Sequence, residues 1–248
     1  MAARRVKFAS RSGKRLVGIV DGQGKRGVIV CTHFTGSKEI GHYYRLAKAM
    51  AGSGMCALRF DYGDCVGESE GTCDGMRLSG QVLDTISAID HMVSMGVESI
   101  GLFGHSLGGS TAIVAAANDE RVRALVTAAA MARLDEGGLF RGRADEWRRS
   151  GHITFPSWKG DISIGYGFYR DLLGYDAKAI AKDIKASFMI IHPGNDVIVP
   201  LEHARSLYGS ANEPKSLKVI EGADHMFSDP SHEKELFELA IGWFDEWL

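Results

Sequence analysis

Four nearly uninterrupted apolar runs, Gly27–Cys31, Met55–Phe60, Ser99–Phe103 and Ser187–His192, constrain most strongly what this chain can fold into. A strand with one face in water alternates apolar and polar residues. A strand apolar on both sides must be covered on both sides, as a parallel strand is between two layers of helices. Arg123–Ala128 reads as a fifth strand of this kind, and Leu217–Ile220 is strand-like. Between the runs lie segments with helical spacing: Tyr43–Ala51, Val82–Met95, Leu107–Ala117, His203–Gly209 and Lys234–Leu248. In the second, Val82, Ile86, Ile89 and Val93 fall at steps of three or four and form one apolar stripe. The alternation predicts an α/β fold, a mostly parallel twisted sheet with helices on both faces. Arg5–Ser10 and Leu16–Asp21, around the turn Arg11-Ser12-Gly13-Lys14, read as an antiparallel hairpin at its edge.

Charge excludes some partners. Lys and Arg number 29 against 31 Asp and Glu, a net charge of −2, so no basic surplus is offered to nucleic acid. No apolar stretch reaches the roughly 20 residues that span a bilayer, so membrane insertion is not expected. The basic start, Met1 to Lys7, is not followed by the apolar run of an export signal. The four cysteines, Cys31, Cys56, Cys65 and Cys73, form no Cys-x-x-Cys pair and read as reduced thiols, which points to the cytoplasm. Neither metal-ligand spacing nor a nucleotide-binding glycine pattern is present, so no metal and no cofactor is expected. The amphipathic end, Glu235–Leu248, reads as core packing.

One stretch breaks the alternation. From Arg133 to Lys182 the pattern is irregular and holds Phe140, Trp147, Phe155, Trp158, Tyr166, Phe168, Tyr169 and Tyr175, eight of the 22 aromatics. A long irregular insertion in a compact domain is more often a lid or binding segment than a plain connection. Its aromatics suit an acyl chain or aryl ring. Arg141, Arg143, Arg148 and Arg149 suit either a substrate carboxylate or, more simply, a solvated face paired with Asp135, Glu136, Asp145 and Glu146.

The chemistry centres on Gly104-His105-Ser106-Leu107-Gly108-Gly109, placed after a buried strand and before a helix of small residues. In that context Gly-x-Ser-x-Gly is a nucleophile elbow: the glycines permit a strained turn that lifts Ser106 off the sheet. The helix start offers free N–H groups to developing negative charge. A serine hydroxyl needs a base and an acid that orients the base. His225, in the loop after Leu217–Ile220, is the expected base; His105 adjoins the serine and points elsewhere, and His91, His152, His203 and His232 read as solvated. Asp196 follows the buried strand Ser187–His192 and is the expected acid, with Asp224 and Asp229 as alternatives. The order serine, aspartate, histidine is one in which this constellation occurs.

These motifs resemble the α/β-hydrolase superfamily, over the whole chain except the insert. Thr32-His33-Phe34-Thr35-Gly36-Ser37-Lys38 is similar to its oxyanion loop, and Arg59-Phe60-Asp61-Tyr62 with Gly67-Glu68-Ser69-Glu70-Gly71 to its next strand and Gly-rich loop. The likeness implies that the backbone N–H groups of Phe34 and Leu107 form the oxyanion hole, each donor worth roughly 3–4 kcal/mol in the transition state. Two departures stand out: His33 occupies a position that is often glycine, and the loop Asp61 to Ser69 is about one residue longer than usual. Within the superfamily the chain is most similar to small serine esterases of the cinnamoyl-esterase-like kind and to acylaminoacyl-peptidase-like catalytic domains. The resemblance implies a single hydrolase domain over residues 1–248, with a core of 1–132 and 183–248 and a lid at 133–182. It also implies cleavage of carboxylic esters with small to medium acyl or aryl groups through an acyl-enzyme. An amide, peptide or thioester hydrolase would use the same residues, and a silent small-ligand-binding protein is a further alternative. The expected partner is a small-molecule ester, and a homo-oligomer is left open.

Overall fold

The computed structural model describes residues 3–134, 140 and 142–248. An eight-stranded sheet organises them, with β1 (Arg4–Ala9), β2 (Arg15–Asp21), β3 (Arg26–Cys31), β4 (Cys56–Asp61), β5 (Ser99–His105), β6 (Val122–Ala128), β9 (Ser187–Pro193) and β10 (Lys215–Ile220). The spatial order is β1-β2-β4-β3-β5-β6-β9-β10. The edge pair β1 and β2 runs antiparallel, as its alternating sequence predicts, and β2 joins β4 antiparallel. From β4 onward every pairing is parallel. Strands β4 and β9 are buried at every position, which accounts for their lack of alternation.

Helices α1 (Gly41–Gly52) and α8 (Pro230–Trp247) cover one face through Tyr43, Leu46, Met50, Leu236 and Phe244. Helices α2 (Leu78–Ser94), α3 (Leu107–Asn118) and α7 (Leu201–Ser210) cover the other. Helix α3 is buried from Leu107 to Ala116, so only small residues let it lie in the centre. Two helices start earlier than their apolar spacing indicates. Helix α2 gains a turn from Leu78 to Gln81, and α8 begins at Pro230 because Asp229 caps it, its Oδ1 accepting the Ser231 N–H at 2.7 Å.

The insert contains α4 (Ala144–Ser150), a hairpin of β7 (His152–Phe155) and β8 (Ile162–Gly165), then α5 (Tyr166–Leu172) and α6 (Ala177–Ala181). Strands of four residues are too short to show alternation, so the stretch reads as irregular. Four of its eight aromatics build a small core of their own: Phe140, Trp147, Phe155 and Phe168 are buried against one another, and the Trp147 indole donates to the Ile164 carbonyl at 2.8 Å. Arg143 pairs with Glu146 and Arg148 with Asp145 on exposed surface, which agrees with the solvated-face reading. Arg141, Asp135 and Glu136 lie outside the described residues. Among the described residues no helix is long and apolar enough to cross a membrane.

Candidate active site

The parallel register aligns the strand ends at which the site is built. Cys31 of β3 stands beside Gly104 of β5, His105 beside Ala128 of β6, and Pro193 of β9 beside Ile220 of β10. The segments that leave these ends carry Phe34, Ser106, Asp196 and His225, four residues far apart in sequence that topology gathers at one carboxyl edge.

Ser106 sits between β5 and α3 with φ 54° and ψ −121°, a strained conformation for a residue with a Cβ. Its N–H donates to the Ala128 carbonyl at 2.8 Å, which holds the turn. The flanking glycines serve close approach. A Cβ on Gly104 would lie 2.4 Å from the Gly108 carbonyl oxygen, one on Gly108 would lie 2.3 Å from that of Cys31, and one on Gly109 would lie 2.7 Å from the Ala130 side chain. The start of α3 is thereby pressed against the end of β3. Leu107 is its first residue, where a helix N–H lacks an i−4 partner.

The Ser106 hydroxyl donates to His225 Nε2 at 3.0 Å, and His225 Nδ1–H donates to Asp196 Oδ2 at 2.7 Å. Asp196 Oδ1 accepts the N–H groups of Ile198 and Val199, each at 2.8 Å. Burial alone would raise the Asp196 pKa, but the bonds from His225, Val199 and Ile198 outweigh it and hold the carboxyl below its ordinary value. Ser106 and His225 are 5% and 8% exposed, so the chain of bonds is screened from water without being sealed. The two alternative acids are used elsewhere. Asp224 accepts the Ser228 N–H within its own loop, and Asp229 caps α8.

The histidines set aside from sequence divide. His203, expected to be solvated, is buried, and its Nδ1 accepts the Ala132 N–H at 3.0 Å; a helical position gives no sign of such a long-range bond. His91 is half-buried and stacks on Phe8 at 4.7 Å. His105 is fully buried and turns away from the serine, and burial, followed by the nearness of His225, His33 and His42, pushes its pKa well down.

The oxyanion-like loop is pinned at its far end. The Lys38 N–H donates to Asp61 Oδ1, and Lys38 Nζ to Asp61 Oδ2, both at 2.8 Å, while Nζ also reaches Glu68 at 2.6 Å. Arg59 donates to the Lys38 carbonyl at 2.6 Å and to Asp21 at 3.0 Å. Lys38, Asp61, Arg59 and Asp21 are all nearly or fully buried, so each charge depends on its partners. The left-handed residue of the loop is Thr35, at φ 60°, and His33 does not need a glycine-like backbone. The Phe34 side chain is 6% exposed and packs against Phe140, Phe155 and Phe168 at ring distances of 5.2, 5.0 and 5.7 Å. Sequence reasoning missed Lys38 and Arg59 as supports of the loop. The one available signal was a lysine and an arginine inside otherwise apolar or glycine-rich motifs. Among the described residues no cluster of three His, Cys, Asp or Glu side chains could hold a metal ion.

The model of the prolyl oligopeptidase family, Peptidase_S9, matches residues 78–248. The chain belongs to this family. It is similar to the uncharacterized protein YfhR of Escherichia coli O157:H7, at 24% identity over 92% of this chain and 76% of the relative. Among solved structures it is similar to the α/β hydrolase GrgF of Penicillium sp. sh18, with a TM-score of 0.85 and 18% identity over 100% of this chain and 99% of that one. It is also similar to Est1E of Butyrivibrio proteoclasticus with ferulic acid bound, with a TM-score of 0.78 and 18% identity over 97% and 99% of the two chains. The fold is that of the α/β hydrolases, and membership of the prolyl oligopeptidase family makes the protein a hydrolase of the serine type.

Proposed function

We propose that this family member hydrolyses carboxylic esters of small to medium acyl or aryl acids through an acyl-enzyme. The single observation that carries the proposal is the continuous bond chain from Ser106 to His225 to Asp196, at 3.0 and 2.7 Å, with the serine lifted on a positive-φ turn. In this reading Ser106 Oγ attacks the acyl carbonyl as His225 Nε2 takes its proton. The same imidazole then protonates the leaving alcohol, and Asp196 holds the tautomer and stabilises the imidazolium. The N–H groups of Phe34 and Leu107 donate to the oxyanion. Water, deprotonated by His225, releases the acid. Ferulic acid, the ligand in Est1E, is an aryl carboxylic acid of the class such a reaction would release. We read residues 1–248 as one hydrolase domain with 133–182 as its lid, and the four unpaired cysteines support a reducing compartment, the cytoplasm. The family description favours one second reading, an amide or peptide hydrolase with the same residues.

The test is hydrolysis of p-nitrophenyl esters from acetate to long acyl chains, beside the matching p-nitroanilides, by the wild type and Ser106→Ala. Ester turnover that depends on chain length and vanishes in the variant supports the proposal. Anilide turnover alone transfers support to the amide reading, and full activity in the variant removes both.

A further inference from the structure

We infer that His33, Tyr43 and His105 form a hydrogen-bonded positioning relay that locks the oxyanion loop, the serine turn and the His225 loop into one unit. The inference rests on the serine-hydrolase reading. The bonds run in sequence: His33 Nδ1 lies 2.5 Å from the Tyr43 hydroxyl, that hydroxyl lies 3.1 Å from His105 Nδ1, and His105 Nε2 lies 2.9 Å from the backbone carbonyl of His225. The His33 backbone N–H donates to the same hydroxyl at 2.9 Å. His33 adjoins Phe34 and His105 adjoins Ser106, while the last link is His225 itself. The path therefore reaches the neighbours of Phe34 and Ser106 and His225 itself, with the buried Tyr43 of α1 at its middle.

The proton positions follow from one fixed end. A carbonyl only accepts, so His105 Nε2 carries the hydrogen. His105 is fully buried and neutral, which leaves Nδ1 a bare acceptor for the Tyr43 O–H. With its hydrogen committed, the Tyr43 oxygen can only accept from His33, through both the backbone N–H and Nδ1–H. The His33 peptide and ring are thus gripped by one atom, which fixes the next peptide, the one bearing the Phe34 N–H. This gives the imidazole at a usually glycine position a purpose that glycine lacks. His42 packs on Tyr43 and His105 but bonds Glu233 through Nδ1, and so stands outside the path.

Two measurements test the relay. Imidazole 15N NMR of the wild type, which needs no activity, is expected to place the His105 proton on Nε2 and the His33 proton on Nδ1; the opposite tautomer at either ring overturns the relay. In ester hydrolysis, Tyr43→Phe and His33→Ala are each expected to lower kcat about tenfold with KM changed less than about twofold, because a displaced donor is felt in the transition state. His33→Asn, whose Nδ2–H stands where the imidazole Nδ1–H stood, is expected to recover at least about half of the wild-type kcat. An unchanged kcat in Tyr43→Phe, or no recovery in His33→Asn, overturns the positioning role. Full activity in Ser106→Ala would instead sink the serine-hydrolase reading, and the tautomers would still decide whether the relay exists.

Discussion

Replacing Gly108 with alanine perturbs the site through space alone. The added Cβ would stand 2.3 Å from the Cys31 carbonyl oxygen and 2.4 Å from that of Thr32, both backbone atoms with no side-chain freedom to escape. Real Cβ contacts essentially never fall below 3.0 Å, so the start of α3 and the end of β3 must separate by at least about 0.7 Å. That displacement opens the gap between Leu107, which follows the serine, and the loop that carries Phe34. Overpacking of this kind costs about 1–3 kcal/mol, and for a chain of this size lowers Tm by about 2–12 °C. A displacement approaching 1 Å between reacting groups costs up to about 100-fold in rate, so kcat should fall by about one to two orders of magnitude. The assay pairs thermal unfolding with p-nitrophenyl butyrate kinetics, and Gly242→Ala is the control. Gly242 lies within α8 with nothing within 4 Å of its would-be Cβ, and alanine there should stabilise by about 0.5–1 kcal/mol with kcat unchanged. Wild-type kcat and Tm in Gly108→Ala would refute the argument that close approach of these two backbones sets the site.

Three further outcomes follow from the same geometry. Asp196→Asn should keep the fold, as circular dichroism can show, while kcat falls by about 10⁴, since an amide at this position favours the wrong imidazole tautomer; a loss below about tenfold would remove Asp196 from its role. Lys38→Met should cost about 3–5 kcal/mol in urea unfolding because it strands the fully buried Asp61 charge, and Lys38→Met/Asp61→Asn should recover part of that; a single-variant cost under about 1 kcal/mol would mean that the pair is hydrated. Stability should fall with acid. Burial, then the nearness of His225 and His42, lowers the His33 pKa from 6.5 to about 4, and burial chiefly lowers His42, His105 and His192. Below about pH 6.5 the unfolded chain therefore binds protons that the folded chain refuses, and below the ordinary aspartate range Asp196 acts in the same direction. Urea midpoints at pH 7, 6 and 5 check this, and equal midpoints would contradict it.

The parallel core was legible because burial on both faces erases alternation, and β3, β4, β5 and β9 carry that signature. Ser106 was legible because its glycines, strand and helix must coincide, and His225 and Asp196 because strand ends in a parallel sheet point to one edge. The insert was not legible. Its four-residue strands hold too few residues for a period, and a buried aromatic cluster has the same composition as a ligand pocket. The supporting residues were illegible for another reason. Tyr43 and Lys38 act through bonds that span 62 and 23 positions of sequence, and no local pattern encodes such a partner. His203, bonded 71 positions away, was misread on the same account.

The Phe34 ring belongs to two structures at once: its peptide lies in the loop after β3, while its side chain is enclosed by Phe140, Phe155 and Phe168 of the insert. The insert, proposed above as the lid, therefore shares a hydrophobic core with the loop proposed to stabilise charge. Under that proposal, selectivity and rate are not separate variables. A lineage or an engineer that exchanges the insert to change substrate range also resets the seat of Phe34, and variants with new scope should first appear as slow enzymes that regain speed through compensating changes in that aromatic cluster.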